Sequence, residues 1–329
     1  MRVLVTGGAG FIGSHFVKRL RAAGDDVVVL DKLTYSGNRA NLPDDVEFHE
    51  GDIAVPEQVA PHAAASDAVV NFAADTHVDR SILGASEFGR TEFTGTQVLL
   101  ELAREHGFRL VQVSTDEVYG DLEGGGSAKE TDAVNPSSPY SVAKTAGDLW
   151  IPAYVRTFGV DASVTRGSNT YGPNQYPEKL IPLFVTNALD GEPLPVYGDG
   201  RQVRDWLFVE DHCSGIELVL REGTPGEIYN VGGGDERKNV DVIERIVDLT
   251  GVDRSLIRHV EDRPGHDRRY SLDTTKLRRL GWAPQKQFED GLRRTVEWYR
   301  DNRDWWEPLK SGEYRAYYER QYGARLAQQ

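Results

Sequence analysis

Gly7-Gly8-Ala9-Gly10-Phe11-Ile12-Gly13 follows directly on the apolar stretch Val3-Leu4-Val5 and leads into His15-Phe16-Val17-Lys18-Arg19-Leu20. It stands where a strand turns into a helix. Glycines at 7, 10 and 13 permit a tight turn, close approach of the backbone to a pyrophosphate, and close packing of helix on sheet, with the phosphates facing the helix N-terminus. A glycine pattern alone is a weak signal, and its surroundings strengthen it. Val27-Val28-Val29-Leu30 forms a second apolar run that ends in Asp31. An acid at that place accepts the hydroxyls of an adenosine ribose and repels a 2′-phosphate, which predicts NAD in preference to NADP.

Outward from this loop, short β-branched runs alternate with helix-like segments up to about residue 170. The expected strands are Arg2–Val5, Asp26–Leu30, Val46–His49, Ala68–Phe72, Arg109–Ser114 and Ala162–Arg166, separated by amphipathic stretches such as Gln97–Arg104. Such alternation predicts an α/β fold with a Rossmann-type, doubly wound parallel sheet covered on both faces. Beyond residue 170 proline and glycine become frequent, as in Tyr171-Gly172-Pro173 and Glu192-Pro193-Leu194-Pro195, and a smaller mixed α/β lobe is expected. It should hold helices at Asn239–Thr250, with Asn239 as a cap, and at Phe288–Asn302. Asp121–Asp132, with Gly124-Gly125-Gly126, reads as a mobile surface connection, and Arg325–Gln329 as a frayed end.

Composition narrows the function classes. The 38 basic and 52 acidic residues give a formal charge of -14, which disfavours nonspecific binding to nucleic acid or anionic membranes. An anionic ligand must then be held by locally placed cations. The single cysteine, Cys213, excludes an internal disulfide and fits a reducing compartment. The first residues form neither a basic segment nor an apolar signal core, and no apolar run approaches the roughly 20 residues of a membrane span. A soluble cytoplasmic protein is expected, and no metal site is.

Two further stretches carry chemistry. Tyr140-Ser141-Val142-Ala143-Lys144 follows Asn135-Pro136-Ser137-Ser138-Pro139, whose turn and capping residues suit the start of a helix. A spacing of four sets Tyr140 and Lys144 on one helical face, where an ammonium near a phenol favours the phenolate and should lower its pKa towards neutrality. Val113-Ser114-Thr115-Asp116-Glu117 begins as a strand and ends in polar residues. In an open parallel sheet the ligand crevice lies beyond the carboxyl ends of the strands, so Thr115, Asp116 and Glu117 should face substrate. Adjacent carboxyls can divide proton donation and proton removal if their surroundings separate their pKa values. An acidic helix start would look the same locally.

With these elements together, the chain resembles the extended short-chain dehydrogenase/reductase superfamily and, within it, the dTDP-glucose 4,6-dehydratase family. The likeness runs through Asp31-Lys32-Leu33-Thr34-Tyr35, Gly51-Asp52-Ile53, His77-Val78-Asp79-Arg80-Ser81, Ser114–Gly120, Tyr171-Gly172-Pro173, Tyr176–Pro182, Arg204-Asp205-Trp206 and Asp262–Asp267, with Thr115-Asp116-Glu117 the most specific. The resemblance implies a lyase that is redox-neutral overall. Tyr140, with Lys144 and Thr115, takes the 4-hydroxyl proton while hydride passes from carbon 4 to NAD. Glu117 then removes the carbon 5 proton as Asp116 protonates the leaving 6-hydroxyl, and hydride returns to carbon 6.

The resemblance also implies cofactor contacts at Gly7, Gly10, Phe11, Ile12, Gly13, Asp31, Lys32, Thr34, Asp52, Ile53, Ala73, Ala74, Tyr140, Lys144 and Asn169. Substrate contacts are implied at Thr76, Thr115, Asp116, Glu117, Asn169, Glu178, Lys179, Leu180, Pro195, Tyr197, Arg204, Asn239, Arg263 and His266. Of these, Arg204 and Arg263 can offer paired donors to a pyrophosphate. The implied NAD-binding domain is 1–170 with roughly 205–233, and the nucleotide-sugar-binding lobe is 171–204 with 234–329. Helices at about Phe93–Arg104 and Tyr140–Phe158 resemble the family's dimer-forming pair, implying a homodimer. Three departures stand out. Asp75-Thr76 replaces the family's usual Glu-Ser, and Glu92 and Thr170 each replace Asn. Alternatives are a dehydratase or 4-epimerase acting on another nucleotide sugar, or a non-catalytic NAD-binding sensor.

Overall fold

β-Branched and leucine-rich runs pair into the central sheet of the computed structural model, which describes residues 1–327. The strands in chain order are β1 (Arg2–Thr6), β2 (Asp26–Asp31), β3 (Glu47–Glu50), β4 (Ala68–Asn71), β5 (Arg109–Thr115), β6 (Ala162–Gly167), β7 (Asn169–Tyr171), β8 (Leu194–Tyr197), β9 (Val203–Phe208), β10 (Ile228–Val231), β11 (Glu236–Lys238) and β12 (Ile257–Val260). Seven of them form an all-parallel sheet in the order β10-β6-β5-β4-β1-β2-β3. Val3 pairs with Val27 on one side and Ala68 on the other, which fixes β1 in the middle. Alternation along β1 sends Val3 and Val5 to a core with the helices Phe11–Ala22 and Val209–Glu222. Leu4 faces the opposite core, with Leu99, Leu110 and Ile151. This is the doubly wound Rossmann-type α/β sheet that the alternating sequence predicts.

Several strands run one residue further than their apolar stretches suggest. Asp31 stays paired with Glu50, and Thr115 with Gly167, so the polar residues at the carboxyl edge are held in the ladder. β3 and β4 are trimmed at one end, where sheet boundaries fray.

The later part of the chain builds a second core from Tyr171, Phe184, Trp206, Ile246, Leu292 and Trp306, beside the small sheets β11-β9-β7 and β12-β8. Leu277 and Trp282 belong to the first core although they follow residue 234, and Gly215, without a Cβ, leaves room for them and Val231 against its helix. The helices Asn239–Thr250 and Phe288–Asp301 form where amphipathic spacing predicts them. Asn239 does not cap its helix. Lys238 holds the cap position, and Asn239 is the first helical residue, buried with its Oδ1 free of protein partners among the described residues.

Two expectations of looseness are corrected. The 121–132 connection is tied down by Leu122 N donating to Arg269 O at 2.9 Å, a bridge from buried Ala128 to Leu272, and Arg269 donating to Gly126 O at 2.7 Å. The expected frayed end is instead helical over Ala324–Leu326, with Arg325 over the Tyr197 ring, while Gln328 and Gln329 lie outside the described residues.

The helix Pro139–Phe158 that carries Tyr140 starts at a reciprocal cap. Ser141 N donates to Ser138 Oγ at 3.1 Å, and Ser138 N to Ser141 Oγ at 3.0 Å. Ser138→Ala should lower unfolding free energy by about 1 kcal/mol, read from urea unfolding. No change would show that Ser141 alone suffices to start the helix.

Candidate active site

The glycine loop packs its backbone against the next crossover. Gly7 has φ +67°, and a Cβ there would lie 2.5 Å from Ala73 N; one at Gly13 would lie 2.4 Å from Gly7 O. Side chains would fill the cradle beside the helix Phe11–Ala22, so the loop fits a pyrophosphate group. Asp31 is buried at the end of β2, accepting from Ala9 N at 2.9 Å and Leu33 N at 2.8 Å. Each carboxylate oxygen keeps a lone pair for ribose hydroxyls. Lys32 meets Asp52 at 3.0 Å. All fifteen residues expected to hold the cofactor line one cavity of about 290 Å³, running from the loop past Lys32, Thr34, Asp52 and Ile53, along Ala73 and Ala74, to Tyr140, Lys144 and Asn169. An NAD molecule fits this donor set and shape.

The reactive end of that cavity is built by β5 and the capped helix. Thr115 Oγ1 donates to Asp116 Oδ1 at 3.2 Å and accepts from Glu117 N at 3.3 Å, which shapes the short turn Asp116–Tyr119. Burial, then Glu117 and Asp205, push Asp116 well above the usual carboxylate range, which favours its neutral form. Glu117 is also raised by burial, but Arg263, Lys179 and Arg204 oppose the rise. The two carboxyls thus occupy the separated environments that donor and acceptor roles need.

Tyr140 corrects one expectation. Burial, then Glu117 and Glu92, push its phenol up, although a hydrogen bond with Thr115 pulls it down. The expected lowering by Lys144 does not prevail over burial; its ammonium is paired with Glu92 Oε1 at 2.6 Å, while also donating to Val113 O at 3.2 Å. Glu92 is therefore part of the site's electrostatics. The other departures are quieter. Asp75 accepts from Thr91 at 3.1 Å, and Thr170 Oγ1 lies 2.7 Å from His212 Nδ1.

A second cavity, of about 150 Å³, opens into the second lobe. Glu117, Asn169, Glu178, Lys179 and Leu180 line both cavities and join them. Thr76 stays on the first side, where its carbonyl accepts from Lys179. Pro195, Tyr197, Arg204, Asn239, Arg263 and His266 surround the second. Arg204 is fixed by donating to Asp267 O at 2.9 Å and lies over Tyr270. His266 meets Asp262 at 2.6 Å, and burial, followed by Arg263 and Arg204, pulls it down to about 4. Its imidazole is neutral at neutral pH. Glu178 accepts from Tyr35 and Arg80, both at 2.8 Å, which orients it from the cofactor lobe.

Two contributors had no individual role in the sequence reading. Asp79, buried, accepts from Arg263 at 2.7 Å and from Tyr197 at 2.8 Å. Tyr322 lines the second cavity and packs on Tyr197, centroids 5.7 Å apart. A motif stretch containing Asp79 was a usable signal. Tyr322 offered none, because only the returning C-terminal segment brings it here.

The chain matches the family model described as GDP-mannose 4,6 dehydratase over residues 4–295. It is 55% identical over 324 residues to a dTDP-glucose 4,6-dehydratase of Streptomyces niveus, covering 94% of this chain and 96% of that protein. It is 47% identical to dTDP-glucose 4,6-dehydratase 1 of Escherichia coli (strain K12), covering 99% and 100%. Among solved structures, DesIV, a dTDP-glucose 4,6-dehydratase from Streptomyces venezuelae with NAD bound, matches with a TM-score of 0.92 at 54% identity, covering 94% of this chain and all of that one. The UDP-glucose 4-epimerase of Thermus thermophilus, in complex with NAD, matches with a TM-score of 0.87 at 34% identity, covering 92% of this chain and 100% of the other.

The Asp79–Arg263 pair has a pH signature. Burial opposes ionisation, but Arg263 and His77 hold Asp79 down at about 2. The depressed value stabilises the fold above the ordinary carboxylate range, and this is lost as pH falls from about 4 through 2. In urea unfolding, the gap between the wild type and Asp79→Asn should shrink by about 2 kcal/mol over that interval. A gap independent of pH would contradict the assignment.

Proposed function

We propose that this chain, which belongs to the dTDP-glucose 4,6-dehydratase family, converts dTDP-glucose to dTDP-4-keto-6-deoxyglucose as an NAD-dependent hydro-lyase. The observation that carries the reading is the join between the two cavities, where Glu117 and Asn169 face both the cofactor side and the second lobe. A sugar seated at that join would meet Thr115, Asp116 and Tyr140 on one side and have its nucleotide towards Arg204 and Arg263 on the other. NAD, when bound, supplies the acceptor for hydride from carbon 4 and the donor that returns it to carbon 6.

The chain's own groups divide the proton work. Tyr140, beside Thr115, would take the 4-hydroxyl proton, and Lys144 would steady the phenolate. The ketone formed at carbon 4 acidifies the proton on carbon 5. Glu117, whose rise by burial is opposed by Arg263, Lys179 and Arg204, would remove it. Asp116, whose neutral form burial favours, would give a proton to the departing 6-hydroxyl. Arg204 and Arg263 would bind the pyrophosphate, and neutral His266 would contribute a hydrogen bond. In this reading 1–170 with roughly 205–233 holds the cofactor, and 171–204 with 234–329 holds the nucleotide sugar.

The same reading places the enzyme in the cytoplasm, in deoxysugar biosynthesis, as a homodimer. A helical pair supports the dimer. Phe93 precedes the helix Thr96–His106, while Val142, Leu149 and Phe158 lie on Pro139–Phe158, and all four expose large apolar side chains. No helix among the described residues is long and apolar enough to cross a membrane.

Denatured enzyme should release NAD, and Tyr140→Phe should lose turnover about 10²-fold or more while retaining that cofactor. Release of mainly NADP, or near-normal turnover, would overturn the respective assignment. In single turnovers with dTDP-glucose, Glu117→Gln and Asp116→Asn should accumulate bound NADH before any 6-deoxy product appears. Glu117→Gln should also slow exchange of the carbon 5 proton with deuterated solvent. Product formation at the wild-type rate by both variants would favour an acidic turn without catalytic duty.

A further inference from the structure

Arg90–Gly95 is a π-helical turn, and it brings Glu92 into the interior against the helix Pro139–Phe158. Glu92 is only 1% exposed. Its single salt-bridge partner among the described residues is Lys144, at 2.6 Å. Room for this contact comes from Gly147, where a Cβ would already stand 3.3 Å from both Glu92 O and Glu92 Oε2. The neighbouring buried acid Asp148 makes its salt bridge with Arg166, at 2.8 Å, and acts on Lys144 only through space.

A carboxylate this close turns the lysine's point charge into a short dipole, and the field at a nearby phenol falls accordingly. With both groups buried, solvent screens the pair poorly. We propose that Glu92 is a positioning residue which, by holding and partly neutralising Lys144, raises the pH at which Tyr140 acts as the base of the oxidation step. This rests on the reading above, in which Tyr140 removes the 4-hydroxyl proton.

The charges around Tyr140 come from several directions. Lys144 shares its helix; Glu92 comes from the π turn; Asp116 and Glu117 come from the end of β5, with Arg263, Lys179 and Arg204 facing Glu117. Asp75, after β4, and Asp148 both act on Glu92. The short helices Val78–Leu83 and Ser86–Gly89 cluster with the ring through Val78 and Phe88. Their charged groups are engaged elsewhere: Asp79 with Arg263, Arg80 with Glu178, and Glu87 4.0 Å from Lys32. Asp75 and Asp148 also feel Lys144 through space, but among the described residues Glu92 is the acid in direct contact with it. Burial raises Glu92 while Lys144 opposes the rise, and Glu92 in turn raises Tyr140.

The test is the pH profile of bound-NADH formation in single turnovers of holoenzyme with dTDP-glucose. Glu92→Gln keeps the shape and removes the charge. Its acid limb should move about one unit lower, making oxidation about tenfold faster than wild type at a pH on that limb. Glu92→Asn, smaller and equally neutral, should move the limb the same way if Gln does not fold, and Glu92→Asp should restore a limb near that of wild type. An ultraviolet titration of the phenol in holoenzyme, with Tyr140→Phe as the blank, should show the same displacement independently of turnover. A uniform rate loss with no displacement, or an unmoved phenol titration, would overturn the proposal. Absence of any NADH signal in the wild type would instead sink the dehydratase reading on which it rests.

Discussion

Pairing of β1 with β2 on one side and β4 on the other is the constraint from which the site follows. Right-handed crossovers from the two halves of a parallel sheet leave in opposite directions, and a crevice opens beyond the carboxyl ends where they part. The glycine loop closes β1 at that edge, and Asp31 ends β2 beside it. Across the crevice, Ala73 follows β4, Thr115 ends β5 and Asn169 begins β7. Residues scattered over more than a hundred positions become neighbours because their strands share one edge. Slipping a strand by one residue would turn Val3 and Val5 towards the wrong core, so burial fixes the edge that carries the chemistry.

Charge is managed locally in this acidic chain. Arg80 with Glu178, Arg263 with Asp79, Arg166 with Asp148 and Lys144 with Glu92 are ion pairs in which the acid is almost wholly buried. Removing one partner from such a pair strands a charge away from water, whereas the intact pair adds little net stability. Their consequence is orientation. Arg263 is held by Asp79 while facing Glu117, and Glu178 is held by Tyr35 and Arg80 where the two cavities meet.

The cofactor side of the crevice was legible because its signals are local. A glycine loop between strand and helix, an acid closing the next strand, and a cap before Tyr140 each occupy a few consecutive residues. The parallel sheet was legible for the same reason, through runs such as Val27–Leu30. Contacts made by distant segments left weaker traces. Glu92 could be seen as an unusual acid in the sequence, but its pairing with Lys144 depends on a π turn that spacing rules for an α-helix do not anticipate. Leu277 and Trp282 return to the first core after the chain has built the second, and Tyr322 arrives from the far end. Asn239 misled as a cap because its side chain turns towards the second cavity rather than its own helix start.

Thr115, Asp116 and Glu117 show how one short turn can separate two like groups. Asp116 lies deep, bonded to Thr115, with Oδ2 free of protein partners among the described residues. Glu117 faces the cations of the second lobe, which oppose the rise that its burial causes, while Glu117 itself pushes Asp116 further up. Glu117 therefore reinforces the neutral form of Asp116. This separation needs both lobes. β5 leads directly into the buried Asp116, and Arg204, Arg263 and Lys179 come from the segments that follow. The join between the cavities is consequently an electrostatic boundary as well as a passage, with Asp116 on the side of the first cavity and Glu117 at the join, facing the cations.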